Sequence, residues 1–209
     1  MAMTDETPRR RGRPPAGGRE AILHAALELL RERGIGRLRT REIAGVAGVS
    51  EASIFYHYGD RTGLLMAVFE EGLRPLKALA EQGEIGSGDR REVLTTLGSA
   101  LERFLDQAVP VLNAAQSDIE LRDALASYMA QENIGPHRGV EALGNYLARE
   151  QAVGRVRDDI DPHATALMLV GTCFMRVSQR QMPVAEVALP ALEDVIATLD
   201  TMLARPGRR

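Results

Sequence analysis

Hydrophobic positions recur at intervals of three and four residues along almost the whole chain, a spacing that predicts an all-α protein. From Arg19 to Gly34, Ile22, Ala26, Leu29 and Leu30 share one face, Leu23 and Leu27 widen it, and Gly34 and Gly36 end the segment. A second helix is expected from Arg61 to Gln82, with Leu64, Leu65, Val68, Phe69 and Leu73 inside and a kink or break at Pro75. After a glycine-rich loop at Gly83 to Gly88, a helix from Asp89 to Val109 buries Val93, Leu97, Leu101, Phe104, Leu105 and Ala108, and Pro110 is expected to disturb its end. Shorter helices follow at Ser117–Gln131 and Pro136–Ala152. Asp161-Pro162 opens another, with aspartate as cap and proline in the first turn, running to about Gln181. A last stripe of Leu192, Val195, Ile196, Leu199, Met202 and Leu203 predicts a helix from about Ala188 to Ala204.

Between Thr40 and Tyr58 the pattern shortens. Two helices of about two turns each fit this stretch, with Thr40 and Ser50 as caps and Gly48 at the turn, where a positive φ is useful. Ile43, Ala47, Val49 and Ile54 form one small apolar face, and Ala44 lets the second helix cross closely. Helices this short are unstable alone and need a third helix as cover. Such a pair is a helix-turn-helix, whose second member enters the DNA major groove. An ordinary helical hairpin shares the pattern, so the flanking residues matter.

Those flanks resemble one family. The run from Arg19 to Leu65 is similar to the DNA-binding domain of the tetracycline-repressor (TetR) family of bacterial transcription regulators. The resemblance rests on a helix ending at Gly34, then Thr40, Ile43-Ala44, Ala47-Gly48-Val49-Ser50, the cluster Ile54-Phe55-Tyr56-His57-Tyr58, and Arg61 with Leu64-Leu65. The chain departs from the family in carrying Ile54-Phe55 where Leu-Tyr is usual, Tyr58 for Phe, Arg61 for Lys, and Gly63 where an acidic residue is common. Phe55 has no hydroxyl to offer a phosphate. The recognition helix is expected at Glu51 to His57, with Ile54 and Tyr58 facing inward. Ser50, Glu51, Ala52, Ser53, Phe55, Tyr56 and His57 are expected to meet DNA. Ser53 and Tyr56 reach bases or backbone, Ala52 suits a thymine methyl, His57 reaches a phosphate, and Arg39, Thr40 and Arg61 hold the backbone.

Charge supports that direction. Overall the chain carries a net −3, but residues 1–61 carry +3 and residues 62–209 carry −6, as suits one DNA-facing end on a body that avoids DNA. Residues 1–18 are polar, aperiodic and rich in Pro, Gly and Arg, and are expected to form a disordered basic arm. Within it Arg11-Gly12-Arg13-Pro14 is similar to the AT-hook, which lies in a narrow A·T-rich minor groove; Arg11 and Arg13 are the candidate contacts. A tail with only nonspecific attraction is the alternative. No apolar run follows the arginines, so no secretory signal is expected. Cys173 is the only cysteine and the longest apolar run, Ala164 to Met175, is shorter than a membrane span, which together point to a reducing cytoplasm.

Three domains are expected: the arm at 1–18, a helix-turn-helix domain at 19–65, and a helical body at 66–205 for ligand binding and dimerisation. The helix from Asp161 is apolar almost all round and must be covered on all sides. Paired with the last helix, it is expected to form a four-helix bundle with a second copy, as in the family's usual dimer, and two recognition helices then read a palindromic operator; the alternative is that both helices are simply core. The resemblance also implies a cavity for a small-molecule effector that weakens DNA binding, and the sparse formal charge on these helix faces favours an apolar one; Phe104, Leu112, Tyr128, Met129, Leu143, Tyr146, Met168 and Met175 are its candidates, with core packing as the alternative for each. Asp158-Asp159-Ile160-Asp161 near His163 reads as a capping loop, so no metal or other cofactor is expected. No nucleophile sits in a recognisable turn and no phosphate loop occurs, so no enzyme is expected. The sequence therefore reads as a DNA-binding regulator, a repressor released by a small ligand. A regulator without such a ligand, and an all-helical adaptor with an incidental hairpin, are the alternatives.

Overall fold

The computed structural model describes residues 18–35, 38–81, 88–182 and 188–205, with the side chains of 79–81 excepted. Arg11 and Arg13 lie outside the described residues. These residues form nine helices and no strand: α1 (Gly18–Arg33), α2 (Thr40–Ala47), α3 (Glu51–Tyr58), α4 (Arg61–Glu81), α5 (Arg90–Ala115), α6 (Ile119–Gln131), α7 (Pro136–Ala152), α8 (Pro162–Gln181) and α9 (Leu192–Leu203). Among them no helix is long and apolar enough to cross a membrane.

Local chemistry accounts for most boundaries. Asp161 accepts from the backbone N–H of His163 at 2.8 Å and of Ala164 at 2.9 Å, so it caps α8 as its sequence position predicts, and these bonds hold its carboxyl below the usual carboxylate range. The other acidic residues of that loop turn to arginines: Asp159 to Arg157 and Asp158 to Arg205. Asp89 and Asp118 cap α5 and α6 in the same way, through the N–H of Arg91 and Leu121.

Two proline expectations need correction. Pro75 lies inside a continuous α4, and α5 runs five residues past Pro110. At Pro110 a reason is visible. Proline leaves the carbonyl four residues earlier without its helical donor, and that carbonyl, on Asp106, accepts from the Gln181 amide at 3.4 Å.

α5 is the axle of the fold, touching α1, α4, α6, α8 and α9. Two buried clusters share it. The first joins Ile22, Leu29, Ile43, Ile54, Leu65 and Phe69 of α1–α4 to Ala108, Val111, Leu121 and Leu125 of α5 and α6. The second joins Leu94 and Leu105 to α7, α8 and α9 through Leu147, Leu169, Cys173, Val177 and Ile196. The first core therefore does not stop at the boundary expected near Leu65 but continues into the body. Close approach of α9 depends on Gly98, where a Cβ would lie 3.4 Å from Ile196 and Leu192 side chains.

α8 is not covered on all sides. Ala166, Leu169, Cys173 and Val177 are buried, whereas Leu167, Met168, Phe174 and Met175 are half or more exposed on the opposite face, with open space beside Gly171. Cys173 donates to the Gly98 carbonyl at 3.9 Å, and burial, with a smaller effect of the Glu102 charge, pushes its thiol up to about 11. Native protein at pH 8 is expected to leave this thiol unlabelled by an aromatic disulfide reagent and to release one equivalent only after denaturation. Rapid labelling of the folded protein would contradict the buried placement.

Candidate nucleic-acid interface

The α2–α3 hairpin is built around Gly48, in the left-handed region at φ 66°, where the chain reverses. Across this turn the Val49 N–H reaches back to the Ala44 carbonyl at 3.0 Å and satisfies the end of α2. Ile43 and Ile54 are buried, Ala44 sits between them, and Ala47 and Val49 pack at the rim. The capping differs from expectation. Thr40 is the first residue of α2, with Arg39 in the cap position, and its hydroxyl donates to the Glu51 carboxylate rather than closing its own helix. Ser50 does hold the cap position of α3, but its hydroxyl pairs with that of Ser53 at 2.9 Å. The amino ends of α2 and α3 are thereby tied together, and Arg39, Thr40, Ser50, Glu51 and Ser53 gather where the positive ends of two helix dipoles favour anions.

Along α3, Ala52, Phe55 and Tyr56 point outward; Phe55 is 48% and Tyr56 75% exposed. Val46 of α2, 50% exposed, adds an outward apolar residue that its place in an apolar run conceals in the sequence. His57 sits differently from its neighbours. Its Nε2 is buried without a hydrogen-bond partner among the described residues, 3.4 Å from where a Cβ on Gly18 would stand, so this edge of the ring turns toward α1. The cause is helical: His57 follows buried Ile54 by three residues and falls beside the inner face. The Tyr56 ring meets it edge-on, centroids 5.0 Å apart. Tyr58 faces inward as expected. Its hydroxyl donates to the Arg19 carbonyl at 2.7 Å, the Arg19 guanidinium lies over its ring, and burial raises its phenol above the usual range.

α3 passes to α4 through a tight corner. Asp60 accepts from the Gly63 N–H at 2.7 Å, and a Cβ at position 63 would fall 2.0 Å from the Tyr58 carbonyl oxygen. Glycine at 63 lets the corner close this tightly. Gly63→Ala is expected to cost about 1–3 kcal/mol, read as a lowered Tm, because the neighbour is backbone and cannot rotate away. An unchanged Tm would mean that the corner is more open than this. Arg61, at the start of α4, lies 3.4 Å from Asp118.

The eight effector-site candidates are not brought into one cavity. Phe104 lies where the two cores meet; Leu112 and Tyr128 pack with the first cluster, and Leu143 and Tyr146 with the second. Met129 is partly buried, while Met168 and Met175 are exposed on the outer face of α8 and line no interior space. Sequence periodicity places a methionine on a helix but not on a side of it. Phe69, Phe104 and Tyr128 do form an edge-to-face aromatic group, with Phe69 5.5 Å from Phe104 and 6.4 Å from Tyr128. Gln107 lies against Gly72 of α4, and its Oε1 is buried with no partner among the described residues.

The model of bacterial regulatory proteins of the tetR family matches residues 22–68, from α1 through the hairpin into α4. By this match residues 22–68 form a tetR-family DNA-binding segment. An uncharacterised HTH-type transcriptional regulator of Mycobacterium bovis is 28% identical over 64% of this chain, and the chain spans 62% of that relative's length. The HTH-type transcriptional repressor AcnR of Corynebacterium efficiens is 24% identical, with 93% of this chain and 97% of that one covered. Among solved structures, a TetR-family transcriptional regulator from Rhodococcus sp. superimposes with a TM-score of 0.60 at 26% identity, covering 90% of this chain and 97% of that one. The TetR-family segment thus coincides with α1–α4, whose exposed surface carries Arg39, Phe55 and Tyr56, and these relatives are regulators rather than enzymes.

Proposed function

We propose that this chain is a dimeric transcriptional repressor of the TetR family that binds a palindromic operator in the cytoplasm and is released by a small, largely apolar ligand. The observation that carries the DNA-binding part is an α3 that keeps only Ile54 fully buried and leaves Phe55 and Tyr56 outward on a hairpin braced by α1 and α4. Arg39, Thr40, Ser50, Ser53 and Arg61 set the phosphate register; Ala52, Phe55 and Tyr56 face the base edges. His57 acts from behind, supporting the Tyr56 ring. Arg11 and Arg13 of the arm extend contact into the adjacent minor groove. Residues 19–65 supply the reader and 66–205 the ligand-binding and pairing body.

The exposed stripe of α8 favours pairing. Leu167, Met168, Phe174 and Met175 recur at helical spacing with small Gly171 among them, and a palindrome requires a second copy. The aromatic group beside the unpaired Gln107 oxygen favours an effector between α4, α5 and α6. An unmet buried acceptor is costly, so a ligand with an apolar body and one hydrogen-bond donor suits it, with Phe104, Leu112, Tyr128 and Met129 around it.

Selection of bound sequences from random duplexes tests the reading. A palindrome with half-sites spaced by whole helical turns is expected; no enrichment of any duplex sinks it. A gel-shift screen of apolar metabolites against the selected duplex then identifies the effector.

A further inference from the structure

Arg61 is placed for two tasks that cannot be performed together. It opens α4 immediately after the corner that ends α3, among the residues facing DNA. Yet its guanidinium points across an open cleft of about 510 Å³, lined by Ile35, Arg61, Ala114, Ser117, Asp118 and Ile119, to the Asp118 carboxylate at the head of α6. The contact, Nη1 to Oδ2, measures 3.4 Å, longer than a tight charge-assisted bond, and both side chains keep solvent access, 43% for Arg61 and 33% for Asp118. Asp118 uses its two oxygens separately: Oδ1 accepts from the Leu121 N–H at 3.1 Å and caps α6, while Oδ2 faces Arg61. Releasing Arg61 therefore leaves the cap intact. A phosphate offers the same guanidinium a shorter and better acceptor.

We propose that Asp118 is a positioning residue for DNA binding: it holds Arg61 in the free protein and surrenders it to a DNA phosphate in the complex. This inference rests on the DNA-binding reading above. The pair joins the reader to α6, so the seating of α6 and the phosphate contact of Arg61 compete. An effector that fixes α6 where Asp118 meets Arg61 lowers operator affinity, and operator binding frees α6 in return.

The test is a set of operator titrations over a range of salt with the full chain and Asp118→Asn, Arg61→Gln and the double variant. Asparagine keeps the cap, and Asp118→Ser serves as a second capping variant if the first lowers Tm. Asp118→Asn is expected to tighten binding about two- to fivefold, the scale of a half-exposed ion pair. Its log–log salt slope is expected to stay close to that of the unmodified protein, because Arg61 reaches the phosphate in both, whereas Arg61→Gln flattens the slope by about 0.9 per protomer. Arg61→Gln weakens binding and abolishes the gain from Asp118→Asn. Unchanged affinity of Asp118→Asn, an unchanged slope of Arg61→Gln, or an equal gain from Asp118→Asn in the Arg61→Gln background overturns the exchange. Failure of the unmodified protein to bind any duplex overturns the DNA-binding reading, and the exchange with it.

Discussion

Tyr56→Ala is expected to weaken operator binding by about 1–3 kcal/mol, a fall of roughly five- to 150-fold, without lowering Tm. The two halves of this expectation have different origins. Tyr56 is 75% exposed and its described ring contact is the edge of His57, so removing it opens no cavity and strands no buried donor. Its value lies in what it meets outside the chain: a ring and a hydroxyl on the outward face of α3, two residues beyond buried Ile54. A tyrosine reading a base edge or a sugar carries no charge, so the salt dependence should be nearly unchanged while the dissociation constant rises. Unchanged affinity would remove Tyr56 from the interface. A parallel loss of Tm would assign it to structure instead. Phe55→Ala, at 48% exposure, provides the neighbouring comparison on the same helix.

Met168→Asp combined with Met175→Asp is expected to convert the protein to a monomer at micromolar concentration and to remove most operator binding. Both side chains are more than half exposed and stand seven residues apart, two turns along one face of α8. In an isolated chain, aspartate there meets water and costs little. Across an interface of the usual ~800 Å² per partner, each copy would bury two unpaired carboxylates, which is several kcal/mol unfavourable. The loss of DNA binding follows by geometry, since one short recognition helix reads only a few base pairs. Sedimentation equilibrium decides it. A double variant that remains dimeric would place the interface elsewhere and leave the outer face of α8 to another partner.

Features that act within one helical turn were legible in the sequence, and features settled by distant partners were not. α7 and the capped start of α8 were legible because a proline, an aspartate and a helical stripe each act within one turn. Gly48 was legible because a reversal between two short helices needs a left-handed residue. Pro110 was misread because its tolerance is settled by Gln181, distant in sequence, which donates to the carbonyl that proline abandons. The inward turn of His57 was not legible, because it depends on the angular position that sets its ring against α1. The outward placement of Met168 and Met175 was not legible, because an all-apolar helix does not declare which side faces its own chain. Asp118 was not legible at all, because its meeting with Arg61 exists only once α6 is seated across the cleft.

The continuity of the first core makes the reader a poor transplant. Leu64, Leu65, Val68 and Phe69 rest on Ala108, Val111, Leu121 and Leu125, so the floor of the DNA-contacting unit is laid by α5 and α6. A graft that moved only the family-matched segment onto a foreign body would arrive without its foundation. Exchanging operator specificity between relatives must therefore be done on the outer side chains of α3, leaving the scaffold beneath them whole.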